Sequence, residues 1–339
     1  MKLLITGASG FIGSHMADHA LSSGYETWAA IRPTSDQSYL QDIRLRRIVL
    51  NLDDASLLRK QLRAHRNRHG TWDVIIHCAG ATKCRHQHEF ERINHGGTRN
   101  LVDALIQLGM TPRQFIFIST LGIYGPLHEQ APYRPFAETD TPHPNTLYGK
   151  SKYRAEEYIK KVEALPYVIF RPTGVYGPRD KDYQILVRSI RSHVDLSLGL
   201  RPQQITFVYI KDLVQAVFLA IEKRVTCRSY LVTDGSTYDS SDFTDAVRAA
   251  LGNPFTLHIP IPLWMGHIAA SIVDVCGHLL NRSFTFNSDK FRILAQRNWK
   301  CDITPLINEL EYRPRYNLTD GIAETLIRQS QPKKAAMEP

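Results

Sequence analysis

The chain has 339 residues, of which 43% are hydrophobic, enough to build one large α/β unit or two moderate domains. Its formal net charge of +9 could indicate nucleic-acid binding, but the densest basic stretch, residues 59–69, has no interleaved aromatic side chains and no recognised DNA-binding motif. We therefore expect no nucleic-acid partner and interpret that stretch as a solvated helix face.

The first half of the chain alternates short β-branched or apolar runs with amphipathic stretches, which is typical of a parallel sheet covered by helices on both faces. We predict strands at residues 2–6, 26–31, 47–50, 74–78, 114–119 and 167–171. We predict helices at residues 13–23, 55–65, 90–108 and 147–163. The predicted fold class is α/β, a doubly wound Rossmann sheet whose ligand crevice lies at the carboxyl ends of its strands.

Beyond Gly177 this alternation loosens into longer loops, which indicates a smaller, partly interleaved C-terminal substrate domain. We assign residues 1–177 to the dinucleotide-binding domain and residues 178–328 mainly to the substrate-binding domain. A run at residues 229–233 could add a late strand to the first sheet. Residues 329–339 are polar with Lys, Ala and Pro, and we expect a disordered tail there.

One apolar segment, residues 261–280, is about long enough to span a bilayer. It contains His267, Asp274 and His278, which are costly to bury in hydrocarbon. We therefore expect a buried or surface-docking helix and no integral membrane segment, with peripheral membrane contact left open.

The five cysteines form no CxxC pair and no cluster with histidine at metal-ligand spacing, so we expect free thiols and no metal site. The first strand-like run begins at residue 2, which leaves no room for the regions of a secretory signal. The expected location is the cytoplasm.

The first predicted strand runs into a glycine-rich turn that opens the first helix. Gly7 permits the tight turn, Gly10 lets the backbone approach a pyrophosphate, and Gly13 allows close helix packing. The free N–H groups at the start of the helix would bind phosphate. The predicted phosphate-binding turn contains Gly7, Ser9, Gly10, Phe11, Ile12 and Gly13.

The end of the second strand bears on the choice of cofactor. An NAD site usually places an acidic side chain there to bind the ribose 2′-hydroxyl, whereas this sequence has Arg32. A guanidinium can pair with a 2′-phosphate, and the positive net charge would suit a phosphorylated cofactor; a solvent-facing arginine is the alternative. We expect NADP or NAD, with NADP slightly favoured.

Tyr148 and Lys152 are four residues apart and therefore lie on one face of a predicted helix. An ammonium beside a phenol favours the phenolate, so we expect the pKa of Tyr148 to be lowered from about 10 toward the range of an acid/base catalyst. Upstream, Ser119 and Thr120 set hydroxyls at the end of a strand, where they could bond a substrate oxygen as charge develops.

Taken together, these motifs resemble those of the extended short-chain dehydrogenase/reductases, the NAD-dependent epimerase/dehydratase family, and the resemblance covers nearly the whole chain. The segments that carry it are residues 6–13 (TGASGFIG), 73–80 (DVIIHCAG), 94–100 (NHGGTRN), 148–152 (YGKSK), 171–178 (RPTGVYGP) and 207–212 (FVYIKD). The resemblance implies that Tyr148 is the acid/base, that Lys152 also holds the nicotinamide ribose, and that Thr120 is the family's catalytic Ser/Thr.

The resemblance also implies further cofactor contacts and a dimer. The contacts are Asn51, Leu52, Cys78, Ala79, Gly80, Asn94, Pro172 and Val175. Asn94 could instead serve as a helix N-cap, and Asn51 replaces a common Asp, which keeps the acceptor oxygen but loses the charge. Helices 90–108 and 147–163 correspond to the family's dimer contact, so we expect a homodimer.

Two departures from the family's patterns indicate the reaction. Family dehydratases follow the catalytic Thr with Asp-Glu, but here Leu121-Gly122 follows Thr120, which disfavours dehydration. Nucleotide-sugar epimerases usually carry Asn where this chain has Gly174, and the surrounding loop is similar to the hydroxysteroid dehydrogenase and dihydroflavonol reductase branch.

We predict an NAD(P)-dependent oxidoreductase that interconverts an alcohol and a ketone or aldehyde on a small-molecule substrate. If the apolar residues 259–268 border the pocket, they would suit a less polar substrate; a core helix explains that stretch equally well. The alternative is a nucleotide-sugar epimerase with tightly bound NAD. A non-catalytic dinucleotide sensor is disfavoured because the three catalytic residue types are all present.

Overall fold

A seven-stranded parallel sheet forms the centre of the protein in a computed structural model that describes residues 1–280, 284 and 286–330. The strands are β1 (Lys2–Thr6), β2 (Glu26–Ile31), β3 (Arg46–Val49), β4 (Val74–His77), β5 (Gln114–Ile118), β6 (Tyr167–Pro172), β7 (Gly174–Tyr176), β8 (Val194–Leu198), β9 (Phe207–Tyr209), β10 (Arg228–Val232) and β11 (Leu257–Ile261). The central sheet has the order β10-β6-β5-β4-β1-β2-β3. The predicted Rossmann-type α/β fold is confirmed, and the strand order reverses between β1 and β4, where such folds bind ligands.

Helices cover both faces of this sheet. They are α1 (Phe11–Ser22), α2 (Ala55–His69), α3 (Gln87–Phe90), α4 (Gly97–Gln107), α5 (Leu147–Lys161), α6 (Tyr183–Arg191), α7 (Ile210–Glu222), α8 (Asp242–Ala250), α9 (Leu263–Leu280), α10 (Ser288–Ala295), α11 (Thr304–Leu310) and α12 (Leu318–Ser330). A π-helical turn, Glu91–Gly96, joins α3 to α4, and a 3₁₀ turn, Leu121–Ile123, follows β5. The predicted helices are present, with ends displaced by a few residues.

The sheet separates two hydrophobic cores because successive side chains of a strand point to opposite faces. Ile116 and Ile118 of β5 lie in the core that contains α1 and α7, whereas Phe115 and Phe117 lie in the core that contains α2, α4 and α5. All five residues of β5 are buried. A strand covered on both faces is accordingly apolar throughout.

The C-terminal half adds two small parallel strand pairs, β7 with β9 and β8 with β11. Within it, β10 returns to the central sheet and pairs with β6. The division at residue 177 stays a prediction. The predicted tail starts at residue 329, but α12 continues to Ser330, and residues 331–339 lie outside the described residues.

The apolar segment at residues 261–280 forms the end of β11 and α9, and its large side chains are exposed: Trp264 by 65% and Ile272 by 57%. Among the helices that the structure describes, none is long and apolar enough to cross a membrane. Of the two expectations for this segment, the surface position is therefore correct. Burial in the core is wrong, because Gly266 and Ala270 face the protein while the large residues face outward.

A buried ion pair joins α5 to the sheet. Glu156 of α5 is fully buried and accepts hydrogen bonds from Arg171 Nε and Nη2 of β6, the latter at 2.7 Å. Ser119 Oγ donates to the same carboxylate, and Arg171 Nη1 donates to Tyr124 Oη at 2.7 Å. This network fixes the helix against the carboxyl ends of β5 and β6, since a desolvated charge must keep its partners.

We predict that Glu156→Gln lowers the free energy of unfolding by about 3–5 kcal/mol, because it leaves the Arg171 guanidinium buried without its counter-charge. Urea unfolding measures the change. The double variant Glu156→Gln/Arg171→Met should recover part of the loss. Asp42→Asn, which breaks an exposed pair with Arg44, is the control and should leave the midpoint nearly unchanged. An unaltered midpoint in Glu156→Gln would contradict the assigned role.

Candidate active site

The turn between β1 and α1 is built for close backbone approach. Gly7 has a φ of +66°, and a Cβ there would lie 2.7 Å from the Ala79 backbone nitrogen. A Cβ on Gly13 would lie 2.2 Å from the Gly7 carbonyl oxygen. The first turn of α1 holds no acidic side chain, and the backbone N-cap is Gly10. The start of the helix can therefore present its N–H groups to an anion.

A buried histidine connects the strand before this turn to helix α4. His77 Nδ1 lies 2.6 Å from Thr6 Oγ1, and His77 Nε2 lies 2.9 Å from Thr98 Oγ1. Thr98 Oγ1 donates to the Asn94 carbonyl, so it must accept from His77, which places the imidazole proton on Nε2. Burial lowers the pKa of His77 to about 3, so the ring is neutral. Thr6 Oγ1 then donates to His77 Nδ1 and accepts from the Ala79 N–H.

The Asn94 side chain links the loop after β4 to α5 through hydrogen bonds. Its side chain is buried, and Oδ1 accepts from the Ala81 N–H at 2.7 Å. Its Nδ2 donates to the Ala81 carbonyl at 3.0 Å and to Ser151 Oγ of α5 at 2.9 Å. The N-cap alternative for Asn94 is wrong, because the residue lies inside the π-helical turn and Gly96 holds the N-cap position of α4.

The predicted catalytic lysine is buried at the centre of the site. Thr146 caps α5 by accepting from the Gly149 N–H, so the helix begins directly before Tyr148. Lys152 Nζ donates to the Ile118 carbonyl at 2.5 Å and lies 4.0 Å from the centre of the Phe117 ring. Burial lowers the pKa of Lys152 from 10.5 to about 8.

The expected lowering of the pKa of Tyr148 is wrong for this structure. Burial of the phenol raises the pKa to about 12. The Lys152 ammonium donates to the Ile118 carbonyl, so burial of the phenol sets the direction of its pKa shift. Tyr148 therefore stands as a protonated phenol, the form that can donate a proton.

The two hydroxyls at the end of β5 have different roles. Ser119 Oγ donates to the buried Glu156 carboxylate and is committed to structure. Thr120 Oγ1 accepts from the Gly122 N–H at 3.1 Å at the start of the 3₁₀ turn, which leaves its own O–H to donate. This difference supports Thr120 rather than Ser119 as the hydroxyl that can serve a ligand.

The predicted adenine-side residues follow the adjacent strands β2 and β3. The Arg32 side chain is exposed, and its backbone N–H donates to Ser35 Oγ. Asn51 Oδ1 accepts from the Asp53 N–H at 3.0 Å, so this amide stabilises its own turn. Leu52 packs on the core, and its backbone carbonyl accepts from the Asn100 side-chain Nδ2 at 2.8 Å.

The loop that follows β4 supplies Cys78, Ala79 and Gly80 beside the glycine-rich turn. Burial raises the pKa of the Cys78 thiol to about 12, so this sulfur is protonated and unsuited to nucleophilic attack. A Cβ on Gly80 would lie 3.1 Å from Asn94 Oδ1 and 3.9 Å from Lys152 Nζ. The structure thus brings this loop, Asn94 and the predicted catalytic lysine together.

Tyr183 of α6 is a residue of the site region that the sequence analysis missed. A Cβ on Gly174 would lie only 2.3 Å from the Tyr183 hydroxyl and 3.3 Å from the Phe207 ring. Pro172 ends β6 and is buried, while Val175 pairs with Val208 of β9. The aromatic side chain therefore occupies the space into which any larger residue at position 174 would extend.

A second set of missed residues comes from α10. Asp289 Oδ2 accepts from the Tyr148 backbone N–H at 3.1 Å, and Arg292 donates to the Asn145 carbonyl at 3.1 Å. Lys290 of the same helix lies 3.5 Å from Asp182, which also pairs with Lys83 at 2.6 Å. No local pattern signals these contacts, because 141 residues separate Asp289 from Tyr148.

The chain is similar to known proteins along almost its whole length. The profile of the family described as the NAD dependent epimerase/dehydratase family matches residues 3–232. The UDP-glucose 4-epimerase of Vibrio cholerae is 26% identical over 337 residues, which cover 96% of this chain and 94% of the relative.

Two further relatives have names that refer to lipids. The sterol-4-alpha-carboxylate 3-dehydrogenase of Dictyostelium discoideum is 23% identical and covers 91% of this chain and 99% of its own. The ceramide reductase of Caulobacter vibrioides is 22% identical, and the match covers 95% of this chain and 92% of the relative. Among solved structures, the UDP-glucose 4-epimerase of Thermotoga maritima has a TM-score of 0.76 at 23% identity and covers 97% of this chain and 99% of that one, which shows the fold.

We predict that Lys152→Met abolishes turnover yet raises the free energy of unfolding at pH 7 by about 1–3 kcal/mol. Below about pH 8 the folded parent must hold a buried ammonium that the unfolded chain keeps in water. The advantage of the variant should shrink as the pH rises from 8 toward 10.5, because the folded parent is then neutral, and releasing the proton on folding costs less as the pH approaches the pKa of the unfolded chain.

Urea unfolding at several pH values measures this difference. Lys150→Met, an exposed position on the same helix, is the matched control and should show little change. If Lys152→Met were less stable than the parent at pH 7, the contacts of the ammonium would outweigh its burial cost and the interpretation would be wrong.

Proposed function

The chain belongs to the NAD dependent epimerase/dehydratase family, and we propose that within it the protein is an NAD(P)-dependent oxidoreductase that interconverts an alcohol and a ketone or aldehyde on a small-molecule substrate. It is an enzyme of the extended short-chain dehydrogenase/reductase type, as its relatives are. The observation that favours this reaction over epimerisation is the space beside Gly174, which the Tyr183 hydroxyl fills.

The residues at the β1–α1 turn fit a dinucleotide. The space left by Gly7 and Gly13 admits no side chain, and the start of α1 offers N–H groups without a competing acid. We infer that the turn holds the diphosphate, that Asn51 and Leu52 border the adenine, and that Lys152 binds the nicotinamide ribose. When bound, the cofactor supplies or accepts a hydride.

The proton transfer is assigned to Tyr148. With its pKa raised by burial, the phenol holds the proton that a substrate carbonyl oxygen must receive during reduction. Thr120 has a free O–H to donate to the same oxygen as negative charge develops. The Lys152 ammonium, on the same helix, would stabilise the phenolate that forms when the proton leaves. In alcohol oxidation the same groups work in the reverse direction.

The space at Gly174 supports net redox chemistry over epimerisation. Epimerases that this chain resembles usually hold part of a nucleotide sugar with an Asn at that position, and here the Tyr183 hydroxyl fills the space. The alternative, a nucleotide-sugar epimerase with retained NAD, is supported by the similarity to the UDP-glucose 4-epimerase over almost the whole chain.

A lipophilic substrate is the class that we favour. Phe207, Phe243 and Tyr176 surround the ring of Tyr183, so an aromatic cluster borders the region beside β7, and Asp180 accepts from the Tyr183 backbone N–H at 2.9 Å at its edge. By their names, the sterol dehydrogenase and the ceramide reductase among the relatives act on lipids, which agrees with an apolar alcohol or ketone. A homodimer and a cytoplasmic location stay proposals.

We predict that Tyr148→Phe lowers kcat by about 10²–10⁴, because the proton donor is lost while the hydrophobic ring remains. Oxidation of NADPH is followed with a panel of ketosteroid and long-chain keto substrates, and with UDP-glucose in a separate epimerisation assay. Tyr153→Phe, five residues further along the helix, is the matched control. Unchanged turnover in Tyr148→Phe would contradict the redox proposal. Epimerisation of UDP-glucose, by protein that retains NAD in native mass spectrometry, would also contradict it.

We predict that Arg32→Ala weakens NADP⁺ binding about 10- to 150-fold and leaves NAD⁺ binding nearly unchanged, since a charge-assisted hydrogen bond to a 2′-phosphate is worth about 1.5–3 kcal/mol. Thermal shift titrations with both cofactors measure the effect. Arg44→Ala, an exposed arginine in the loop between β2 and β3, is the control. A larger shift of the parent with NAD⁺ than with NADP⁺ would overturn the NADP preference.

A further inference from the structure

Helix α9 has its large apolar side chains on the outside. Trp264, Met265, Ile268, Ile272 and Val275 are between 47% and 65% exposed. Their spacing places them on one face, since a helix turns by about 100° per residue. We call these five side chains the α9 surface.

The opposite face of α9 packs against the protein through small residues. A Cβ on Gly266 would lie 2.6 Å from Leu198 and 2.9 Å from the Phe291 ring of α10, and Ala270 is fully buried. An ordinary surface helix has the reverse arrangement, with apolar residues inward and polar residues outward. The α9 surface therefore requires an apolar partner.

More apolar and basic side chains surround the start of the helix. Leu200 is 74% exposed and lines a surface cavity together with Trp264. The described lining of this cavity includes Arg201 and Arg297 and no acidic side chain. An exposed Trp beside arginines is the pattern of side chains that meet a bilayer at the level of its head groups. The net charge of +9 acts in the same direction.

We propose that the α9 surface docks the protein on an anionic lipid bilayer, with α9 lying in the interface and Arg201 and Arg297 facing the head groups. The helix has 18 residues and a length of about 27 Å, so five outward apolar side chains contact the bilayer along it. This inference rests on the proposed lipophilic substrate, which would reside in such a bilayer.

The packing also places the catalytic centre close to this surface. Phe291 of α10 contacts α9, and Asp289, two residues earlier, accepts from the Tyr148 N–H at 3.1 Å. A single short helix therefore separates the α9 surface from the start of the catalytic helix. A lipophilic substrate leaving the bilayer would enter beside the residue that exchanges its proton.

Flotation of the full-length protein tests the proposal with vesicles of phosphatidylcholine alone and of phosphatidylcholine mixed with phosphatidylglycerol. We expect binding to the mixed vesicles and a blue shift of tryptophan fluorescence, because Trp264 is exposed while Trp28 and Trp72 are buried. Trp264→Ser/Ile268→Ser/Ile272→Ser should lose at least tenfold in vesicle binding without a change in circular dichroism or in turnover of a water-soluble ketone.

Matched controls separate this surface from general hydrophobicity and general charge. Ile43→Ser/Leu57→Ser removes two exposed apolar side chains elsewhere and should leave vesicle binding unchanged. Arg201→Glu/Arg297→Glu should abolish the preference for phosphatidylglycerol, whereas Arg44→Glu should not.

The proposal is overturned if the parent binds neither vesicle type, or if the triple variant binds as the parent does. It is also overturned if light scattering shows a concentration-dependent oligomer in the parent that is lost in the triple variant, because the partner of the α9 surface is then a second copy of the chain. Vesicle binding is measured without cofactor or substrate. Redox turnover without vesicle binding would therefore reject only the docking, and vesicle binding without redox turnover would reject only the proposed reaction.

Discussion

The buried pair of Glu156 and Arg171 is the constraint on which the active site depends. Glu156 lies on the same helix as Lys152, one turn further along, and its carboxylate is held from two strands, by Arg171 of β6 and by Ser119 at the end of β5. Because two desolvated charges tolerate little displacement, the pair sets how α5 is rotated against the sheet. That rotation directs Lys152 inward to the Ile118 carbonyl.

A second, uncharged network aligns the cofactor turn with the same helix. The neutral His77 connects Thr6 of β1 with Thr98 of α4, and Thr98 passes the hydrogen bond to Asn94. Asn94 in turn binds Ser151, the residue before Lys152. Two independent networks, one ionic and one neutral, thus meet on α5, so the glycine-rich turn and Tyr148 keep a fixed relation.

Burial acts in the same sense on the two titratable groups of the candidate site. Burial lowers the pKa of Lys152 and raises that of Tyr148, so each group is held in an environment that disfavours its charged form. Such an environment makes proton transfer sensitive to a ligand that arrives with its own charge and dipoles. Burying these groups lowers the stability of the folded state, and the packing of the surrounding core offsets that loss.

Local sequence determined the fold class, the glycine-rich turn and the placement of Tyr148 and Lys152 on one helix, because strand alternation, a tight turn and a four-residue helical spacing are all set by neighbours in the chain. The tertiary structure alone decided features that depend on distant residues. The Lys152 ammonium is oriented by Ile118, the space at Gly174 is filled by Tyr183, and α9 turns its large side chains outward because Leu198 and Phe291 leave room only for Gly266. Burial and contacts between different helices and strands set these properties, and no local periodicity indicates them.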